Sequence, residues 1–501
     1  MQRQKMRLQN IMLLFLAIGT FGCSKENKEI TINGRITGYI DEKVEYTTPI
    51  DGKWFYGDKK SIAPDTLGGF QIKMKIDEPS FVTMYVPGKS GGVLVVEPGK
   101  TYDVDFNIGE NKNENKFIVN SENSLAQNLY NSYPTPEFYI SAVRDFLTDS
   151  IPSEISKKIN NQQENTLSKF DELLEKGKIS KGFHELAVSD RKSYYLAMEA
   201  TVAKMLLYKH ENNKPKLTAA TNFWSQKLDP SLVNETTYIR SPWFYALVQN
   251  LIRFRQMSIE NFDPKQLKAL YENGNIYQYN IDEAKTVLSG KELEYYLATY
   301  IYYESWQTKD NSKKIIQVYE KFKNDYPNSL YNEYLETSLK PIVDFHNKLE
   351  KTHGNEEIKF VENSKNIDTF NQLVEELQGK KVFVDIWGTW CSPCKKEFEH
   401  KESLYTMLES KNITVLYICE GEHSKVKVWK EMIDYYDLEG HHVFTNEKLL
   451  ADIIDKFGNN GQFAYPRYLL IDENGIVVNE QASYPSKLKQ LEREINENYI
   501  W

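Results

Sequence analysis

The segment from Lys381 to Phe398 constrains the fold of this chain more than any other segment. It opens with an apolar run, Val382–Ile386, of the length of a buried strand, and a tight turn then leads into Cys391-Ser-Pro-Cys394 at the start of a predicted helix. Backbone N–H groups and the positive end of a helix dipole stabilise a thiolate at the first of these cysteines and lower its pKa below about 8.5. We therefore expect Cys391 to be a nucleophile and Cys394, one turn further along, to be the more buried thiol that resolves a mixed disulfide.

Alternating strands and helices continue from this segment to the C-terminus. One helix is predicted from Cys391 to about Leu408, a strand over Ile413–Ile418, and a closing hairpin followed by a last helix over Leu488–Asn498. This strand–helix order predicts an α/β sheet domain over residues 356–501.

The preceding residues predict two further domains. A chain of 501 residues is much longer than a typical domain of about 100 to 200 residues, so several folded units are expected. Residues 29–110 show period-two apolar alternation between Gly-containing turns, which predicts an antiparallel β domain, either a sandwich or a partial barrel. Residues 115–353 show three- and four-residue apolar steps, which predict an irregular domain of six to nine helices. This all-α region would be either a spacer or a holder of a substrate protein, and a linker is predicted at Thr352–Asn355.

The N-terminus resembles a bacterial lipoprotein signal. Three basic residues precede a short apolar stretch, Ile11–Ile18, and small or apolar residues then lead to Cys23. The stretch is too short for a membrane span of about 20 residues. The resemblance implies a signal peptide over residues 1–22, a lipid on Cys23, a tether over residues 23–28 and a place in the cell envelope, with an ordinary cleaved signal peptide as the alternative.

Composition narrows the possible partners and the roles of the cysteines. The net charge of −9 comes without a face of clustered Lys and Arg, which excludes backbone-driven binding of nucleic acid. Only four cysteines are present, so a scaffold stapled by disulfides is excluded. A single CxxC pair in an exported protein points to chemistry rather than stability, because so small a loop removes little entropy from the unfolded chain. Cys419 ends an apolar strand and is expected to be an inert core residue.

The run Trp-Gly-Thr-Trp-Cys-Ser-Pro-Cys-Lys-Lys-Glu-Phe, which contains the CxxC pair, resembles the active-site segment of thioredoxins, in the form found in the membrane-tethered TlpA/ResA branch. A second match, Tyr-Pro-Arg-Tyr-Leu-Leu-Ile-Asp, implies that Pro466 has a cis peptide bond and packs against the CxxC sulfurs. Asp385 stands where the family keeps a buried acid, and burial would suit it to accept the proton of Cys394. The branch also carries a second acid after its second strand, for which Glu422 is our choice and Glu420 fits nearly as well.

The resemblance also implies an activity and partners. The expected reaction is thiol–disulfide exchange with extracytoplasmic proteins, in the reducing direction, with a membrane protein as the electron donor and with no organic cofactor or metal. Trp390 and Tyr465 are the expected substrate-binding residues. The β domain, with its Asp-Thr-Leu-Gly-Gly-Phe segment, resembles the domain that precedes thioredoxin modules in Bacteroidota-type lipoproteins.

Four other functions have weaker support in the sequence. A zinc site would need a second ligand pair at short spacing, which Cys419, His423, His441 and His442 do not supply. Copper handling is supported only by the pair His441-His442, which is expected to face solvent. A peroxidase would need a Pro-x-x-x-Thr-x-x-Cys context that is absent before Cys391. The fourth is a surface or periplasmic binding or scaffold lipoprotein.

Overall fold

The computed structural model describes residues 28–499 except for 39–41, 122, 135–138, 149–150, 236, 259–263, 308–310, 352–353, 422–424 and 460–461. The predicted signal peptide, Cys23 and Glu422 lie outside the described residues. Among the described helices, none combines the length and the apolar character needed to cross a membrane.

The N-terminal domain consists of two four-stranded sheets that share one apolar core. The sheets have the orders β4-β1-β7-β8 and β3-β2-β5-β6. Their strands are β1 Glu29–Thr37, β2 Val44–Thr47, β3 Lys59–Ile62, β4 Gly69–Lys75, β5 Ser80–Val86, β6 Ser90–Val96, β7 Thr101–Asn107 and β8 Lys116–Val119.

Two details of this domain differ from the sequence-based expectation of an antiparallel domain that ends near residue 110. Strands β1 and β7 pair in parallel: after β4 has paired antiparallel with β1, the chain forms β5 and β6 of the second sheet and returns on the other side of β1 as β7. Strand β8 pairs antiparallel with β7 and so extends the β domain to Val119, into residues that were predicted to belong to the helical domain.

The central domain is helical. Its helices are α1 Ser124–Asn131, α2 Tyr139–Phe146, α3 Pro152–Glu175, α4 Lys181–Lys209, α5 Lys214–Lys227, α6 Phe244–Ser258, α7 Pro264–Glu272, α8 Ile276–Lys285, α9 Gly290–Gln307, α10 Lys313–Asp325 and α11 Asn332–Leu349. The described residues thus form more helices than the six to nine predicted. Four of them, α1, α2, α7 and α8, have ten residues or fewer and are too short to show an amphipathic repeat clearly.

The C-terminal domain is a six-stranded mixed sheet flanked by helices, with strand order β14-β13-β10-β11-β12-β9. Its strands are β9 Ile358–Phe360, β10 Lys381–Gly388, β11 Ile413–Glu420, β12 Gly440–Phe444, β13 Arg467–Ile471 and β14 Val477–Asn479. Its helices are α12 Phe370–Glu375, α13 Ser392–Glu397, α14 Lys401–Ser410, α15 Val426–Tyr436, α16 Glu447–Phe457 and α17 Leu488–Asn498.

The single helix predicted from Cys391 to about Leu408 is wrong, because a 3₁₀ turn over Phe398–His400 separates α13 from α14. At this break the Phe398 ring is buried, with its centroid 5.3 Å from that of Trp387 and 5.1 Å from that of Tyr436. The break therefore places an aromatic side chain in the core directly behind the CxxC segment.

The C-terminal domain packs against the helical domain next to the predicted linker. The Phe345 ring of α11 lies 4.6 Å from the Tyr435 ring of α15, and the Lys348 ammonium lies 4.7 Å from the same ring. Asn355 donates a hydrogen bond to Asp437 at 2.8 Å. Phe345 is buried in the core that also contains both cysteines of the CxxC pair, so the last helix of one domain contributes to the core of the next.

Candidate active site

The CxxC segment lies at the end of the central strand β10 and forms a disulfide bond between Cys391 and Cys394. Cys391 is the N-cap residue of α13, and its sulfur accepts a hydrogen bond from the backbone N–H of Cys394 at 3.2 Å. Pro393 occupies the first helical turn, where its missing N–H costs nothing. Cys391 is 3% exposed and Cys394 is fully buried. An incoming sulfur therefore reaches Cys391 more easily than Cys394.

Trp390 directly precedes Cys391 and packs on the chain at Gly388 that leads to the disulfide. It is 46% exposed, and its indole lies so close to Gly388 that a Cβ atom there would stand 2.8 Å from the ring. The other side of the ring meets Tyr465 in an edge-to-face contact, with centroids 5.1 Å apart. These two predicted substrate-binding residues thus form one aromatic surface beside Cys391.

The loop before β13 brings Pro466 to the same edge of the sheet. The Tyr465–Pro466 peptide bond is cis. Because β13 runs antiparallel to β10 and pairs Arg467 with Ile386, the residue before Arg467 lies beside the chain that leads into the CxxC turn. Burial, followed by the neighbouring Glu420 carboxylate, raises the pKa of Tyr465. Glu420, the last residue of β11, pairs in register with Gly388 and so also lies at this edge.

Asp385 lies inside the sheet, behind the disulfide. It is 3% exposed, and its Oδ1 atom has no hydrogen-bond partner among the described residues. Burial, and to a lesser degree the charge of Glu397, raises its pKa well above the usual carboxyl value. The structure thus places a carboxyl group on the sheet face that carries both cysteines, where its neutral form is favoured.

Glu397 is a site residue that the sequence reasoning missed. It lies one helical turn after Cys394, and its carboxylate accepts hydrogen bonds from the backbone N–H and the hydroxyl of Ser486 at 2.9 and 3.0 Å. The three-residue spacing from Cys394 was the signal that could have identified it, because residues three apart share a helix face. The sequence-based choice of a second acid after β11 depended instead on Glu422, which lies outside the described residues.

Of the residues considered for metal binding, Cys419 and His442 are buried, and His423 lies outside the described residues. Cys419 is fully buried, and burial raises the pKa of its thiol. The expectation that the histidine pair faces solvent is wrong for His442, which is 1% exposed and has its ring centroid 5.0 Å from that of Tyr417. Burial lowers the pKa of His442 to about 4, and its Nε2 lies 2.8 Å from the Leu438 carbonyl oxygen. The described part of the chain holds no group of three or more His, Cys, Asp or Glu side chains placed to bind a metal.

The C-terminal domain is similar in sequence to known thiol–disulfide oxidoreductases. The Redoxin family model matches residues 359–495. The thiol-disulfide oxidoreductase ResA of Bacillus thuringiensis subsp. konkukian is 30% identical over 123 residues, which are 24% of this chain and 64% of the relative. ResA of Bacillus subtilis is 40% identical over 70 residues, which are 14% of this chain and 38% of the relative. The chain therefore spans less than two thirds of the length of these relatives.

Among solved structures, a crystal structure of the thioredoxin domain of a thiol-disulfide oxidoreductase from Bacteroides vulgatus is similar to part of this chain. It shares 20% sequence identity with a TM-score of 0.21, and the match covers 25% of this chain and 81% of that one. The residues that the Redoxin model matches lie within the C-terminal domain and contain the CxxC turn.

Proposed function

We propose that this protein, whose C-terminal domain is a thioredoxin-like domain of the TlpA/ResA type, is a thiol–disulfide oxidoreductase that acts through Cys391 and Cys394. The observation that carries the proposal is the disulfide between these cysteines at the start of α13, with a buried carboxyl group on the same sheet face. Neither feature contributes much to stability. A disulfide that closes so small a loop stabilises a fold by only about 2 kcal/mol. Burying an ionisable group costs free energy.

The proposed reaction is two successive thiol–disulfide exchanges. In the reduced protein the Cys391 thiolate attacks one sulfur of a substrate disulfide, so that a Cys391–substrate disulfide forms and the first substrate sulfur leaves. Asp385 then takes the proton of Cys394, and the resulting thiolate attacks the Cys391 sulfur. The Cys391–Cys394 disulfide forms and the second substrate sulfur leaves as a thiolate, which takes up a proton from the solvent. Two electrons have then passed to the substrate, and Asp385 holds the proton that came from Cys394.

The cell envelope is the proposed place of action. The basic start, the short apolar stretch and Cys23 support a lipid anchor, and extracytoplasmic protein disulfides are the proposed substrates. Because each cycle leaves Cys391 and Cys394 oxidised, a membrane-bound dithiol protein would have to reduce the pair again. Incorporation of radiolabelled palmitate into the wild-type chain, and its loss in Cys23→Ala, tests the anchor.

An equilibrium redox titration of the full-length protein in detergent tests the oxidoreductase function. Graded thiol–disulfide buffers and a thiol-alkylation gel shift should show one reversible two-electron transition. It should disappear in Cys391→Ser and persist in the matched control Cys419→Ser, because Cys419 is buried away from exchange. A midpoint near or below about −250 mV would indicate a reductase, and one near about −120 mV an oxidant. Absence of a transition would refute the proposal.

A further inference from the structure

Two buried tyrosines flank Asp385 across the sheet. Asp385 pairs in register with Tyr417 of β11 on one side and with Tyr468 of β13 on the other. In-register neighbours project from the same face of a sheet, so the carboxyl group lies between two phenol side chains. Both tyrosines are only 1% exposed and belong to the core that contains the CxxC cysteines.

The hydroxyl groups of these tyrosines have hydrogen-bonding capacity left. The Tyr468 hydroxyl, like the Asp385 Oδ1 atom, has no hydrogen-bond partner among the described residues. The Tyr417 hydroxyl lies 2.8 Å from that of Tyr405, which in turn accepts a hydrogen bond from the backbone N–H of Glu439 at 3.0 Å. When Tyr405 donates its one hydrogen to the Tyr417 oxygen, the hydrogen of the Tyr417 hydroxyl is available for another acceptor. Asp385, the in-register neighbour of Tyr417, can be that acceptor.

A buried carboxylate needs such donors more than a neutral carboxyl group does. The oxidised state leaves Oδ1 unbonded, which the neutral form tolerates at lower cost than the charged form. Before Asp385 can accept the proton of Cys394 it must be ionised, and hydrogen bonds to the charged form favour that state. The Tyr468 hydroxyl and Oδ1 of Asp385 are not in hydrogen-bonding geometry in the oxidised state, so a bond between them requires a shift of a side chain or a bridging water molecule.

We propose that Tyr417 and Tyr468 are positioning residues that donate hydrogen bonds to the Asp385 carboxylate, directly or through one water molecule, when Cys394 gives up its proton. This inference rests on the proposed function, and in particular on Asp385 as the base. The two phenols act through Asp385 and do not touch the reacting sulfurs themselves.

Other titratable groups also surround Asp385 and must be separated from the tyrosines in any pH profile. Glu397 of α13 raises the pKa of both Asp385 and Tyr468 by its charge. Tyr405 of α14 and Cys419 of β11 are close enough for the charge of Asp385 to raise their own pKa values. All of these groups are retained in the variants below, so a change in the profile can be assigned to the removed hydroxyl.

The test is the pH dependence of peptide-disulfide reduction by the full-length, pre-reduced protein in detergent, between pH 5 and 9. Asp385→Asn identifies the part of the profile that depends on Asp385. Tyr417→Phe and Tyr468→Phe should each move the midpoint of that part upward by about one pH unit, and lower the rate about tenfold below the midpoint. Adding Tyr468→Phe to Asp385→Asn should cause no further shift.

Tyr499→Phe is the matched control. This variant also removes a buried hydroxyl group from the C-terminal domain. The Tyr499 hydroxyl donates to the carbonyl oxygens of Val382 and Ile471, at the end of β10 and β13 far from the CxxC turn. The pH midpoint of Tyr499→Phe should therefore equal that of the wild type. Wild-type midpoints in both Tyr417→Phe and Tyr468→Phe would overturn the inference while leaving the proposed function intact. A profile unchanged by Asp385→Asn would overturn it together with the role of Asp385 as the base, and loss of exchange in the wild type would remove the proposed function itself.

Discussion

The change Asp385→Asn should make the C-terminal domain more stable, and by an amount that grows with pH. In an unfolded chain Asp385 ionises near pH 3.9, whereas burial raises its pKa well above the usual value in the folded protein. Below about pH 3.9 both states hold the proton, so ionisation of Asp385 costs the wild type nothing. Above that pH the unfolded chain releases the proton and the folded protein keeps it, so the wild type loses free energy of unfolding as the pH rises towards the folded-state pKa.

The magnitude follows from this difference of one bound proton. Each pH unit lowers the free energy of unfolding of the wild type by about 1.4 kcal/mol, until the pH reaches the pKa of Asp385 in the folded protein. Over the interval from pH 4.5 to 6.0 the loss is about 2 kcal/mol for a folded-state pKa above this interval, and smaller for a lower one. The amide introduced by Asp385→Asn does not titrate, so the stability advantage of the variant should widen over this interval by the amount that the wild type loses.

Oxidation of Met432 by a short pulse of hydrogen peroxide can report the unfolding of this domain alone. Met432 is fully buried in the core next to the CxxC segment and becomes accessible to peroxide only when the domain opens. The fraction of its sulfoxide, measured by mass spectrometry across a urea series at each pH, yields the unfolding midpoint. Asp455→Asn, at an exposed position of α16, is the control and should show a pH-independent difference. An equal advantage of Asp385→Asn at pH 4.5 and 6.0 would refute the reasoning.

Three further outcomes are expected. Cys394→Ser should trap a mixed disulfide with a peptide substrate, visible by non-reducing mass spectrometry, because no second thiol resolves it; release at the wild-type rate would contradict the mechanism. Tyr465→Ala removes the ring that contacts Trp390 and should raise KM for a peptide disulfide about fivefold with a smaller change in kcat, as steady-state kinetics would show. Phe345→Ala should destabilise the C-terminal domain by about 3 to 5 kcal/mol in the peroxide assay, whereas exposed Leu330→Ala should have little effect; equal shifts would contradict the packing of α11 on this domain.

The strand, the turn and the helix start of the candidate site could be predicted from the sequence, because residues adjacent in the chain are sufficient to form them. An apolar run, a turn and two cysteines three residues apart define a strand that ends at a helix N-terminus, whatever the rest of the chain does. The alternation of strands and helices similarly predicted the C-terminal α/β domain, and helix α17 has the bounds that its periodicity predicted. The three-domain order was also predicted correctly, since each domain has its own apolar period.

Features that depend on pairing between distant segments were not in the sequence pattern. Parallel pairing of β1 with β7 depends on the chain leaving this sheet after β4, forming β5 and β6 in the second sheet and returning on the other side of β1. Period-two alternation within a strand does not show in which direction its neighbour runs. His442 was expected to lie at the surface. It is buried because β12 is an inner strand, between β11 and β9, and aromatic side chains pack against the imidazole ring.

The surroundings of Asp385 show most clearly which features the sequence predicts and which depend on the tertiary structure. The sequence by itself determined that an acid lies within an apolar strand just before the CxxC turn. Only the tertiary structure decided that Tyr417 and Tyr468 stand on either side of it and that Glu397 is the nearby charge. The physical reason is that strand register is set by packing of the whole sheet against its helices, and a shift of one residue would turn each tyrosine to the opposite face.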